Sequence, residues 1–324
     1  MRLDEGRGAC TDAERRAALA LHDELRSRGH EAWVETHWVR PQWAAALVLG
    51  SLLAVAGSLI STGAPVPGLI AAVAGFAVIA GRPFPRRATQ HVLTAVPDNG
   101  VVLAIAAAYD VPRRGTVDPR RLRGPGPAIA AALVVVATAA RVADYEPGWL
   151  GAVQLIPTVA LLLVLAAAAD NALSSWADDD DAPPTTALAL YDELTREPPA
   201  GLHPMLLLVG AGHALPGAAA RQLRREGLAA ERLVVLQIAD GPPFWAARHG
   251  QLRAAAERAL AALSLTLPER RMPPTRLPAI RLGAGDGTLD LALGVVDALD
   301  SELGAQSTPS ATRSATGSSN EQEP

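Results

Sequence analysis

The side chains able to do chemistry in this chain are few and scattered. Its seven histidines are His22, His30, His37, His91, His203, His213 and His249. They form no HExxH motif and no pair at helical zinc-binding spacing. The run 178–181 is all aspartate. A divalent cation would relieve repulsion within it, although a solvated linker explains it as well. Gly210-Ala211-Gly212, with Gly217 beyond it and Asp240 after the next strand, opens like a dinucleotide-binding turn. The third glycine should fall at Leu215, so a tight strand-to-helix turn with Pro216 at the first helical position is the plainer reading. No Gly-x-Ser-x-Gly elbow occurs. All 29 basic residues are arginine, which excludes a phosphate-binding Walker lysine, a Schiff-base lysine and a Ser-Lys dyad. Cys10 is the only cysteine, so neither a disulfide framework nor a cysteine metal cluster can form. A net charge of -4 gives no sign of nucleic acid as partner. The five arginines of 113–123 have no aromatic residues between them and read as a basic cluster beside a membrane.

Hydrophobic residues make up 49% of the chain against 19% charged, so the apolar content must be concentrated. It lies in four charge-free runs: 43–61, 66–81, 126–140 and 149–169. Crossing the hydrocarbon core takes roughly 17–25 apolar residues. The first and last runs meet this directly, and the middle two need flanking residues or a thinner bilayer. Short links at 62–65 and 141–148 make two antiparallel hairpins. The segment between them holds eight arginines (Arg82, Arg86, Arg87, Arg113, Arg114, Arg120, Arg121, Arg123) against one in the links, Arg141. The positive-inside rule therefore predicts that both termini and the polar parts face the cytoplasm of a multi-pass cell-membrane protein. Trp38, Trp43, Trp149 and Trp176 flank the first and fourth runs, as interfacial tryptophans do. No ionisable residue falls within the runs, which argues against an ion pathway. Residues 1–30 contain no apolar core of a signal peptide.

With the hairpins set aside, the remainder alternates between strand and helix. Residues 11–28 predict a helix capped by Thr11, with Glu14 closing a capping box and Ala18, Leu21 and Leu25 on one face. Strands are expected at 31–39, 88–96, 101–108, 205–210, 232–238 and 278–282. Helices are expected at 184–196, 215–226, 249–264 and 287–302. The pattern predicts an α/β domain with a mostly parallel sheet flanked by helices. The organisation is then 11–42 as the first part of that domain, 43–81 as hairpin 1, and 82–125 as its central strands. Hairpin 2 is 126–169, the rest of the domain 170–304, and a disordered tail 305–324.

The order of these pieces, GHEAWVETHWVRP, RRATQHVLTAVP, AAAYD, DDDDAPPTTALALYDEL, LLLVGAGHALPGAAARQLRRE and VVLQIADG, resembles the M28 family of zinc aminopeptidases and carboxypeptidases across about residues 11–303. The resemblance implies that family's fold and a site for two zinc ions, bridged by a carboxylate and served by a glutamate base. It also implies where ligands should stand. Ala108 occupies the histidine position before Tyr109-Asp110. Asp180 keeps the bridging carboxylate. Ala211 and Gly212 replace a Glu-Glu pair, with His213 one residue on. Ala239 replaces an acid beside Asp240, and the loop 283–287 lacks the last histidine. Asp110, Asp180, His213 and Asp240 are thus the vestigial or remodelled metal candidates, with no catalytic residue assigned and no cofactor expected unless the site holds zinc. The first expectation is a non-catalytic M28-like membrane protein with a binding or regulatory role. Its partners would be the bilayer and a peptide or protein in the old cleft. One alternative is a metallohydrolase using those four residues as a remodelled zinc site. Another is a small transport or channel subunit.

Overall fold

The computed structural model describes residues 3, 6–81, 83–113, 115–117, 122–145, 147–177, 181–213, 217–272 and 277–307. In chain order the elements are α1 (Asp12–Ser27), β1 (Ala32–Val39), α2 (Trp43–Ile60), α3 (Pro65–Gly81), β2 (Arg87–Thr94), β3 (Val101–Ala108), α4 (Gly126–Val142), α5 (Leu150–Leu173) and α6 (Ala182–Arg196). They continue with β4 (Leu202–Val209), α7 (Ala218–Arg225), β5 (Leu233–Ala239), β6 (Trp245–Ala247), α8 (Gly250–Ala262), β7 (Ala279–Gly283) and α9 (Thr288–Ser307). The fold is mixed α/β, built on a seven-stranded sheet of order β1-β2-β4-β3-β5-β7-β6.

The sheet is less parallel than its alternating pattern predicts. Among the described pairings, β1–β2, β2–β4 and β6–β7 are antiparallel, and β5–β7 is parallel. The cause for β1–β2 is hairpin 1. Two antiparallel helices return the chain to the end of the sheet it left, so β2 must run back along β1. Their register is continuous from Ala32↔Thr94 to Val39↔Arg87. The three-residue β6 has no sequence period to betray it, and it forms an edge too short to recruit another strand.

The chain divides into two compact units, Met1–Ala95 with Ala106–Thr185 and Leu206–Gly227, and Val96–Ile105 with Thr186–Met205 and Leu228–Pro324. In the second unit α8 and α9 bury Leu252, Ala255, Ala259, Leu291, Val295 and Leu299. In the first, α1 lays Ala17, Ala18, Leu21 and Leu25 on β1 and β2.

The first unit also contains the bundle α2–α5. Its interior is small and neutral, with Ala54, Ala72, Ala131, Val134, Leu161 and Ala168 at the centre. Glycines let α2 and α3 touch backbone to backbone: a Cβ on Gly57 would lie 2.5 Å from Ala72 N, and one on Gly75 2.5 Å from Ala54 N. Gln154 Nε2 lies 2.9 Å from both the carbonyl oxygen and Oγ of Ser58 and 3.0 Å from Ser61 Oγ, while Ser58 and Thr158 hydroxyls pair at 2.7 Å. Large apolar side chains point outward instead, with Ile156 72% and Leu163 68% exposed. By length and composition α2 and α5 are able to cross a membrane. That is two of the four expected spans. Helices α3 and α4 are apolar but only 17 residues long, about 26 Å of rise against a hydrocarbon core of about 30 Å.

Candidate functional site

The first unit buries its charged groups where β3 and β4 end. Tyr109 N bonds to Val209 O at 3.2 Å, which ties the two strand ends together and sets Asp110 just beyond them. Asp110 is buried. Its Oδ1 accepts the His213 amide at 3.1 Å and stands 3.2 Å from His213 Nδ1. This pairing favours the tautomer with the proton on Nδ1. Asp110 Oδ2 is buried with no hydrogen-bond partner.

The turn carrying His213 presses its own backbone against β3. A Cβ on Gly212 would sit 2.7 Å from Ala108 Cβ and 3.3 Å from Asp110 Oδ1. Ala211 is fully buried at φ +51°, a left-handed conformation that costs a non-glycine residue about 1–2 kcal/mol. The space that longer side chains at 108 and 212 would need is therefore filled by methyl group and main chain.

Two further buried charges flank the dyad. Arg7 is fully buried; its Nε donates to Tyr109 O at 2.9 Å and its Nη1 is 2.8 Å from Asp181 Oδ1. Asp181 Oδ2 also accepts Leu3 N at 3.1 Å, and Val111 N bonds to Arg7 O at 2.9 Å. Glu14, on the first turn of α1, accepts from Cys10 N, from the Thr89 hydroxyl and from Gln90 N at 3.3 Å. Thr11 caps α1 as expected, accepting Glu14 N at 3.2 Å. The return arm of the capping box goes elsewhere, because Thr11 N is already bonded to Gly8 O at 3.1 Å. Burial pushes the Glu14 carboxyl up to about 7, opposed by its hydrogen bonds from Thr89 and Cys10. Burial pushes the Cys10 thiol up to about 12, with Glu14 and Asp110 adding to the shift. Next to this cluster on β2, burial holds His91 down at about 4.

A cavity of about 330 Å³ opens beside His213, lined also by Gln42, Trp43, Arg87, Arg113 and Trp176.

Of the four residues expected at the site, the structure brings together Asp110 and His213. Asp240 follows β5 in the second unit. Asp180 lies outside the described residues; its neighbour Asp181 is the acid seen to pair, with Arg7. Neither Arg7 nor the second role of Glu14 was read from the sequence. Arg7 sits in a short segment without periodicity, and Glu14 had a sufficient local explanation as a capping residue.

Structural zinc sites take four protein ligands and catalytic ones three. Among the described residues no group of three or more His, Cys, Asp or Glu could hold a metal ion. Asp110 and His213 are the two candidate donors that the described residues bring together, and positions 108 and 212 are filled by a methyl group and main chain.

The chain has likenesses among solved structures. It is similar to the zinc aminopeptidase BSAP of Bacillus subtilis at 9% identity, covering 91% of this chain and 90% of that one, with a TM-score of 0.45. It is similar to an aminopeptidase from Aneurinibacillus sp. strain AM-1 at 10% identity, covering 90% and 89%, with a TM-score of 0.42. It is also similar to Porphyromonas gingivalis glutaminyl cyclase at 11% identity, covering 92% and 93%, with a TM-score of 0.45. No protein-family model and no curated protein matches the chain.

Proposed function

We propose that this chain is an M28-like protein held in the cell membrane, whose cleft binds a partner instead of hydrolysing one. The observation that carries the reading is the contact between positions 108 and 212, where Ala108 Cβ leaves no room for a side chain on Gly212. Arg7 supports it, because the cation beside Asp181 and Tyr109 is the chain's own guanidinium.

The membrane half of the reading rests on the bundle. A water-soluble protein seldom leaves faces such as those of Ile70, Val136, Ile156 and Leu163 bare. Close glycine contacts and buried neutral hydrogen bonds are what hold helices together in lipid, where hydrophobic burial between them gives no driving force. In this reading all four helices cross. Helices α3 and α4 sit at the lower length limit and are accommodated by local thinning. The arginine-rich segments then put both termini and the α/β part in the cytoplasm, with a peptide or protein in the cleft as partner.

The test is hydrolysis. The full chain, extracted from the membrane fraction in detergent, is assayed on aminopeptide and carboxypeptide panels with added zinc and with chelator. No turnover under either condition is expected. Chelator-sensitive hydrolysis abolished by Asp110→Asn would overturn the reading. It would favour the alternative that the orphaned Asp110 Oδ2 suggests. That alternative is a remodelled zinc hydrolase drawing on Asp110, Asp180, His213 and Asp240.

A further inference from the structure

The cavity beside His213 has a lining of distinct chemistry. Arg87 and Arg113 contribute to it, and among the described residues no aspartate or glutamate does. Arg113 Nη1 donates to the carbonyl oxygens of Ala172 at 2.9 Å and Ser174 at 2.8 Å, and its guanidinium stacks on Trp176 at 4.3 Å. Those partners are neutral, and Arg113 forms no ion pair among the described residues. Arg87, exposed at the start of β2, forms no ion pair among the described residues, although it also lines a neighbouring cavity with Asp12 and Glu14. Two cations facing one cavity, with no acid among its described lining residues, favour an anion there. Gln42, the N-cap residue of α2, makes no capping hydrogen bond, and its Oε1 is buried without a partner at the cavity wall.

The other walls are apolar and aromatic. Trp43, Ala44 and Ala45 come from the first turn of α2, and Ala172 and Trp176 from the end of α5 and just past it. These are the ends of the two longest apolar helices, and Leu173, next to Ala172, is 86% exposed. An occupant must therefore be negative at one end and apolar at the other. Tryptophan and arginine at the cytoplasmic ends of membrane helices also mark headgroup depth.

We propose that this cavity seats the phosphate headgroup of an anionic phospholipid, with Arg87 and Arg113 facing the phosphate and the acyl chains leaving along α2 and α5. The proposal rests on the membrane reading above and names a ligand for the edge of the same site.

The test uses the tryptophans in the wall. The detergent-solubilised full chain is titrated with dihexanoyl phosphatidylglycerol, dihexanoyl phosphatidylcholine and inorganic phosphate while tryptophan emission is followed. A saturable change is expected with phosphatidylglycerol, absent from the Trp43→Phe/Trp176→Phe variant and weakened by added salt. Arg87→Gln and Arg113→Gln should each weaken it about five-fold. Arg87 is exposed, so its variant tests the site even if Arg113→Gln, which loses two carbonyl contacts, does not fold. Equal saturation by phosphatidylcholine, or by inorganic phosphate alone, would overturn the assignment. Flotation with phosphatidylcholine vesicles separates the two failures. A chain that stays in solution refutes the membrane reading itself, whereas one that floats but shows no headgroup preference refutes only the lipid site.

Discussion

Inside the helix bundle the buried polar side chains are neutral: Ser58, Ser61, Gln154 and Thr158 share short hydrogen bonds, and charge enters from the half-buried Arg141, whose Nε donates to Gln154 Oε1 at 3.0 Å. Where β3 and β4 end they include ionisable groups: Arg7, Glu14 and Asp110. A buried hydroxyl or amide is satisfied by one or two neighbours. A buried charge survives only when its partners are in place, since its desolvation costs several kcal/mol. The bundle is therefore built to adhere, and the sheet end is built to hold specific groups in specific places.

Closing the helix seam should have the largest effect. Gly57→Leu drives a side chain into the backbone of α3, and we expect a loss above about 3 kcal/mol with little folded protein left on size exclusion in detergent. Arg7→Met should cost about 3 kcal/mol in thermal unfolding, because it leaves Asp181 facing an apolar group. Adding Asp181→Leu should recover most of that loss. Gln154→Leu, which removes the centre of the bundle's polar network, should cost only about 1 kcal/mol. If Gln154→Leu proved as damaging as Arg7→Met, the contrast between the two regions would fail.

The pH dependence sharpens the sheet-end side. Glu14 binds its proton more tightly folded than unfolded, so its contribution to stability is present below pH 4.5 and is lost as pH rises to about 7. His91, whose ring faces His37 at 4.4 Å, does the reverse. It stays neutral when folded, so stability rises with pH between about 4 and 6.5. The two slopes oppose each other in the wild type. Glu14→Gln should expose a rising profile over that window, and His91→Phe a falling one. The smallest effect is on reactivity: with its thiol held near 12, Cys10 should alkylate slowly at neutral pH until the chain is unfolded.

Much of this architecture was legible because its periods are strong. The α1 face, the four apolar helices and β3 with its buried centre follow from spacing and composition alone. The start of β4 did not, because Pro204 argues against a strand there. The observed pairing with β2 involves Leu207–Val209, beyond the proline. The parallel character of the sheet was overestimated because alternation does not reveal that a helical hairpin returns the chain to the same end. At the site, Asp110 and His213 were legible through motif order, and the structure joins them. Arg7 was not, since nothing local distinguishes an arginine that folds inward from one in solvent. The contact between Ala108 and Gly212 is a meeting of two distant segments, which no single stretch of sequence contains.

Zinc stoichiometry tests that contact most directly. The full chain is purified in detergent without chelator, equilibrated with zinc, dialysed and measured by elemental mass spectrometry beside Asp110→Asn. We predict zinc far below one ion per chain and no difference between the two proteins. Stoichiometric zinc in the wild type that disappears in the variant would contradict the account.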